Sequence, residues 1–380
     1  MELLNDVELL SEKIDRILSI APYSQAPDER EAGLLSLLRE ELDYACSRHA
    51  GYENYLQNWP VDFRAATKVA DLPFLPVGIL KANPPLSFVR PEEVKRTLTS
   101  SATTSQSPSR VVLDAPTSRR MTKGIVTIVR DFIGTARRPY LVVDTPDFMR
   151  RSDAIGARGA AIQGLHPFAS QTTHCLNADE QGELTLDLEK LKEFAATHRD
   201  SEVLVYGFTF ILWNHLVKPL LAEGICLNLP NIRILHSGGW KRLQEQAVEK
   251  SVFNQKLADV FGCTPECVID FYGMVESVGV IFPDCTEGNK HGPAFGDVIV
   301  RNPLTLEPVA EGEHGIVQVC SVLPTSFPGN LLLTEDMAQV LAYDGCACGR
   351  RGISFRFAGR IPKAEVRGCG NLEIKRTVMN

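Results

Sequence analysis

Apolar residues recur at helical spacing over residues 34–48, and the first twenty residues set Glu2, Asp6, Glu8, Glu12, Lys13, Asp15 and Arg16 between apolar positions. Both stretches predict amphipathic helices, so residues 1–70 read as a helical region. Pro73, Pro76, Pro84 and Pro85 then break any regular pattern and predict extended loops. From Leu98 short β runs alternate with helical stretches, at 111–113, 141–144, 203–206, 232–235 and 268–271. That alternation predicts a layered α/β core over residues 71–295. Past Gly296 the runs 298–300, 316–320, 337–341 and 355–358 are separated by turn residues instead of helices, which predicts a small β subdomain over 296–358. The remaining residues, 359–380, are too few to fold alone.

With 380 residues, 44% of them hydrophobic, the chain can bury a large core as one big domain or two unequal ones. Its 40 basic and 47 acidic residues are mixed along the chain and sum to −7, so no basic stripe offers itself to a phosphate backbone, and nucleic acid is not expected as a partner. The charged N-terminal helix is no signal peptide, and no apolar run approaches the roughly 18 residues of a membrane span. Ten cysteines without a secretion signal predict a reducing compartment, the cytoplasm, where thiols serve as ligands or nucleophiles.

Five segments carry candidate chemistry. Residues 98–110, LTSSATTSQSPSR, are rich in hydroxyls between β-like flanks. Short hydroxyl and backbone donors converging without bulk suit a phosphate chain, although composition alone describes an exposed Ser/Thr linker equally well. No GxxxxGK[ST] occurs, so this is not a Walker loop. HSGGWK at 236–241 ends a strand in two glycines that let backbone approach a flat ligand. DFYGMVE at 270–276 offers a Tyr face for stacking and, in Glu276, a carboxylate for magnesium. In LLTEDMA at 332–338, Asp336 can accept both hydrogen bonds of a ribose diol, and Arg360 after Gly359 can complement ribose or phosphate. Separately, Cys285, His291, Cys346 and Cys348 form two short clusters suited to a tetrahedral zinc, with Cys263 and Cys267 as rival ligands.

Taken in order with PFLPVGILK at 73–81, the CACGRRG turn at 346–352 and GRIPKAEVRGCGNLE at 359–373, these segments resemble the bacterial luminescence acyl-protein synthetase family, nearly end to end. They resemble the phenylacetate-CoA ligases more distantly. The resemblance implies the fold of an adenylate-forming N-terminal domain, with the usual C-terminal domain reduced to a short tail. It implies that Ser100, Ser101, Thr103 and Thr104 bind the phosphates of ATP, that Gly238, Gly239, Phe271, Tyr272, Gly273 and Met274 frame the adenine, that Glu276 ligates Mg2+, and that Asp336 and Arg360 hold the ribose. Relatives have glycines where this loop has Ala102 and Ser105. The charge-neutralising lysine has three candidates, Lys241, Lys363 and Lys375. Cys369 in RGCGN matches the cysteine that carries the acyl group as a thioester, and Arg367 beside it would lower the thiol pKa. A structural zinc in loops like those of Cys285 and Cys346 is also implied.

The expected reaction is ATP-dependent activation of a fatty or aryl carboxylic acid to an acyl adenylate, then transfer to a thiol, Cys369 and afterwards a partner protein such as a reductase. Delivery to coenzyme A or a carrier protein is one alternative. A catalytically inactive binding partner of the same fold is another, motivated by Ala102 and Ser105. Residues 164–168 and 206–213 are apolar and aromatic enough to line an acyl pocket or simply to fill a core.

Overall fold

The computed structural model describes residues 2–100, 108–146, 155–240 and 247–361. Its N-terminal helices are α1 (Glu2–Ile17), α2 (Pro27–Arg48) and α3 (Ala50–Gln57). A hairpin of β1 (Arg96–Thr99) and β2 (Arg110–Leu113) leads into α4 (Ala115–Ile133). The α/β core then runs β3 (Arg138–Val142), β4 (Ala169–His174), α5 (Leu188–Thr197), β5 (Val203–Phe208), β6 (Ile232–Ser237), α6 (Lys250–Phe261), β7 (Val268–Gly273) and β8 (Ile281–Pro283). The last strands are β9 (Lys290–His291), β10 (Gly296–Arg301), β11 (His314–Ser321), β12 (Leu331–Ala342) and β13 (Ser354–Arg360).

The core sheet has the order β8-β7-β6-β5-β3-β4, parallel except for β8. Every residue of β5, VLVYGF, is buried, as a central strand covered by helices on both faces must be. The second sheet, β9-β13-β12-β11-β10, is antiparallel. The proline-rich stretch joins it, because Leu75 and Pro76 pair in parallel with Leu332 and Leu333 of β12.

The α/β reading of the sequence is thus the architecture observed, with strands longer than their apolar runs. β12 begins at Leu331, whereas the apolar pattern predicts a strand only from Met337. Thr334, Glu335 and Asp336 interrupt the alternation with polar residues, and a bulge between Met337 and Ala338 shifts the register there. Of the acyl-pocket candidates, Phe168, Tyr206, Phe208, Ile211, Leu212 and Trp213 are buried in the hydrophobic core, so packing accounts for that aromatic run.

Helix α4 couples the parts. Asp114 caps it by accepting a hydrogen bond from the Thr117 amide at 2.8 Å. Its buried stripe, Thr117, Arg120, Met121, Gly124 and Ile128, follows helical spacing. At Gly124 the helix passes so close to the turn after β7 that a Cβ there would lie 2.5 Å from the Gly279 carbonyl oxygen. Gly279 has φ +80°, and its own Cβ would lie 2.8 Å from the Met121 Cα. Gly279→Ala therefore meets a left-handed backbone and a backbone clash together, and a loss of about 2–4 kcal/mol is expected by chemical denaturation. Gly33→Ala, where a Cβ meets nothing within 4 Å, serves as the control with no such loss.

Candidate active site

The parallel register sets three strand ends side by side: Ser237 of β6 pairs with Phe208 of β5 and with Phe271 of β7. Open α/β sheets bind ligands beyond these carboxyl ends. Gly238, Gly239 and Gly273 are exposed here, among buried Ser237, Phe271 and Tyr272. What the site presents is therefore backbone. Gly238 has φ +80°, and a Cβ on it would lie 2.7 Å from the Phe208 ring, so glycine is required there; Gly239 faces open space.

Phe271 and Tyr272 point to opposite sides of β7. Phe271 stacks on Tyr206 at 6.1 Å, and the Tyr206 hydroxyl lies 3.0 Å from Ser237 Oγ. Tyr272 lies beside Phe282 and stacks with Phe357 at 5.2 Å. It is only 9% exposed. Its contribution on this geometry is the hydroxyl, which donates to Asp336 Oδ2 at 2.9 Å. Asp336 is also paired in register with Arg360, whose Nε stands 3.3 Å from Oδ1. Three segments remote in sequence thus meet at one carboxylate.

Glu276 follows in the turn after β7, 6% exposed, and accepts no hydrogen bond among the described residues. A carboxylate so placed could accept a hard cation such as Mg2+. Ser100 stands at the base of the hydroxyl-rich loop, where its amide donates to the Ser109 carbonyl at 3.1 Å and its Oγ accepts from the Ser109 amide at 2.9 Å. Ser101, Thr103 and Thr104, together with Lys241 and Cys369, lie outside the described residues, as do Lys363 and Lys375.

Beneath the site lies a charge cluster that sequence reading missed. Lys290 of β9, 3% exposed, sits 3.0 Å from both Asp270 and Asp284, and Lys250 pairs with Asp284 from the other side. Burial opposes the ammonium, yet the two carboxylates hold its pKa above the ordinary lysine value. Neighbouring His236 is buried with Nδ1 2.9 Å from Thr209 Oγ1, and burial pushes its pKa below the usual value despite Asp270. The only signal in the sequence is a lysine between two candidate metal ligands, Cys285 and His291.

Those two ligands do meet Cys346 and Cys348: the four ligand atoms lie within 4.8 Å of one another. Cys285 Sγ is 4.0 Å from Cys346 Sγ, and Cys348 Sγ is 3.4 Å from His291 Nε2. A tetrahedral zinc with ordinary bond lengths sets such pairs about 3.8 and 3.6 Å apart, so the donor set fits. Cys263 and Cys267 are not part of this cluster.

The Asp336 carboxyl is raised above its usual 3.8 by burial, with the Tyr272 hydroxyl and Arg360 acting in the opposite direction. A group with a raised folded pKa contributes stability that is present below the unfolded value and lost as pH rises through the folded one. Wild type is therefore expected to lose stability relative to Asp336→Asn, which cannot ionise, as pH rises above the ordinary carboxyl value of 3.8 in parallel denaturation curves.

A family model described as acyl-protein synthetase, LuxE, matches residues 2–377. The long-chain-fatty-acid–luciferin-component ligase of Aliivibrio fischeri is 24% identical over 346 residues, covering 88% of this chain and 86% of that protein. Its namesake from Vibrio harveyi is 28% identical over 140 residues, 37% of this chain and 36% of the relative. Among solved structures, an open 2-hydroxyisobutyryl-CoA ligase in complex with 2-HIB-AMP and CoA superposes with a TM-score of 0.67 at 15% identity, covering 90% of this chain and 77% of that one. The same ligase in its postadenylation state gives 0.67 at 17%, covering 90% and 70%. At such identities the likeness concerns the fold alone.

Proposed function

The chain belongs to the acyl-protein synthetase family, and from that premise we propose that it uses ATP to activate a carboxylic acid and passes the acyl group to a thiol. The observation that carries this reading is the meeting of Tyr272, Asp336 and Arg360 beside the Gly238–Gly239 strand end. A buried carboxylate, held by a hydroxyl on one side and flanked by an arginine, is suited to accept both hydroxyls of a ribose. The exposed glycine backbone beside it suits a flat base. Ser100, with Ser101, Thr103 and Thr104, would bind the triphosphate. Bound at Glu276, Mg2+ would neutralise phosphate charge.

In the first step an oxygen of the substrate carboxylate attacks the α-phosphorus, the bond to pyrophosphate breaks, and an acyl adenylate remains. In the second a thiolate attacks the carbonyl carbon and the bond to AMP breaks. The chain's contribution to both steps is positioning and charge neutralisation. Lys241 is a candidate for the neutralising cation, and Cys369 for the thiolate. The substrate named in the two luciferin-component ligases, a long-chain fatty acid, is the first acid to try, and their name also favours a protein acceptor over coenzyme A.

Acid-dependent exchange of labelled pyrophosphate into ATP tests the first step, with exchange expected for long-chain fatty acids. Asp336→Ala, which removes a charge-assisted pair of hydrogen bonds, is expected to raise the KM for ATP about ten- to a hundredfold. No exchange across a panel of fatty and aryl acids would reject the activity. Cys369→Ser is expected to abolish acylation of the chain while leaving exchange intact; undiminished delivery to coenzyme A would favour the acid-thiol ligase instead.

The Cys285, His291, Cys346 and Cys348 cluster we assign to a structural zinc that clasps the loop after β8 to the β12–β13 connection. Purified protein is expected to carry about one zinc per chain. Cys348→Ser or a strong chelator is expected to lower both the metal content and the melting temperature; an unchanged content would overturn the assignment.

A further inference from the structure

A second concave site lies away from the strand ends. An open depression of about 750 Å³ lies between α1, the start of β1 and the first half of α4. Five of its ten lining residues are cationic, Lys95, Arg96, Arg119, Arg120 and Lys123, and one, Asp15, is acidic. The imbalance is local, since the whole chain carries −7.

Like charges brought together cost free energy unless something offsets them. The fold does so only in part here. Asp15 stands 3.5 Å from Arg120 Nε, while Lys123 Nζ reaches only neutral oxygens, the Asp15 carbonyl and Ser19 Oγ. The acids on the preceding turn, Glu92 and Glu93, are taken by Arg90. Among the described residues, no carboxylate pairs with Lys95, Arg96 or Arg119.

One of the cations is also built in. Arg120 is 2% exposed, its Nη2 donates to Ser11 Oγ at 2.6 Å and its Nη1 to Thr325 Oγ1 at 3.2 Å. The buried Glu41 carboxylate also acts on it, as Asp15 does from the rim, so two carboxylates offset the charge of Arg120 while those of Lys95, Arg96 and Arg119 go without an ion pair among the described residues. Ser118 and Thr122, one helical turn apart on α4, add hydroxyls to the same wall.

From this we propose that the cavity binds a small polyanion bearing two or more phosphate groups. Its volume is that of a small-molecule site, and arginine forks match phosphate oxygens. The site is distinct from the proposed nucleotide site. Arg96 pairs with Leu113 and Thr99 with Arg110, so Lys95 and Arg96 stand at the opposite end of the hairpin from residues 100–109, about 10 Å along the strand. Two sources supply the required chemistry: the pyrophosphate that the proposed reaction releases, and the 3′,5′-bisphosphate nucleotide handle of a thiol cofactor. Both sources depend on the proposed reaction; the binding itself does not.

The test is calorimetric titration of the full chain carrying Asp336→Ala, which disables the ribose clasp, with pyrophosphate and with adenosine 3′,5′-bisphosphate. One-site binding of either probe is expected, weakened at least tenfold by Arg119→Glu and by Lys95→Glu, both exposed positions where an unchanged circular dichroism spectrum verifies folding. Tighter binding of pyrophosphate assigns the site to the product, and tighter binding of the nucleotide assigns it to the cofactor handle. Binding to wild type that vanishes in Asp336→Ala would move the anion to the nucleotide site and overturn the proposal. Absence of binding at millimolar probe, or equal affinity in the charge-reversed variants, would overturn it too. A failed pyrophosphate exchange assay leaves this result unaffected, so the two readings fail separately.

Discussion

A carboxylate withdrawn from water must be compensated, and the compensation of Asp336 ties together the parts of this molecule that matter. The Tyr272 hydroxyl comes from the core sheet, and Arg360 from the last strand of the antiparallel sheet. Neither partner is near Asp336 in sequence except through the register of β12 and β13. Burial still leaves the carboxyl with a raised pKa, so the fold keeps an ionisable acceptor where its charge is disfavoured. Such a group is costly as structure and useful as a ligand.

The same logic operates below it. Lys290 holds Asp270, one residue before Phe271, and Asp284, one residue before Cys285. Its strand pairs His291 with Ser354 of β13. A buried ion cluster therefore links the β7 end, where backbone faces the site, to the cysteine-histidine cluster and to the strand that delivers Arg360. Removing one partner of such a cluster is strongly destabilising because the others stay buried and charged. The cysteine-histidine cluster and the site share this foundation, although no ligand atom of the one reaches the other.

Much of this was legible in the chain, for reasons that differ by element. Runs such as VLVYGF announce buried parallel strands, because a strand covered on both faces needs no polar alternation. The glycines of HSGGWK and the soft ligands Cys285, His291, Cys346 and Cys348 are legible because few other residue types do what they do. β12 was read short, since its first half breaks the alternation with Thr334, Glu335 and Asp336, the residues the site uses. For Tyr272 composition shows an aromatic ring but not which neighbours cover it. Lys290 was invisible, since its partners Asp270 and Asp284 are ordinary carboxylates until the sheet brings them together. The cavity of Lys95 and Arg119 was hidden for the same reason: the net charge of −7 averages over a local excess that only packing creates.

The account rests on one nucleotide being clasped between the glycine strand end and Asp336. A crystal structure with a non-hydrolysable acyl-adenylate analogue tests it most directly. The prediction is a ribose diol within hydrogen-bonding distance of both Asp336 oxygens, with the base against Gly238, Gly239 and Gly273. An analogue bound elsewhere, with Asp336 still turned only to Tyr272 and Arg360, would contradict it.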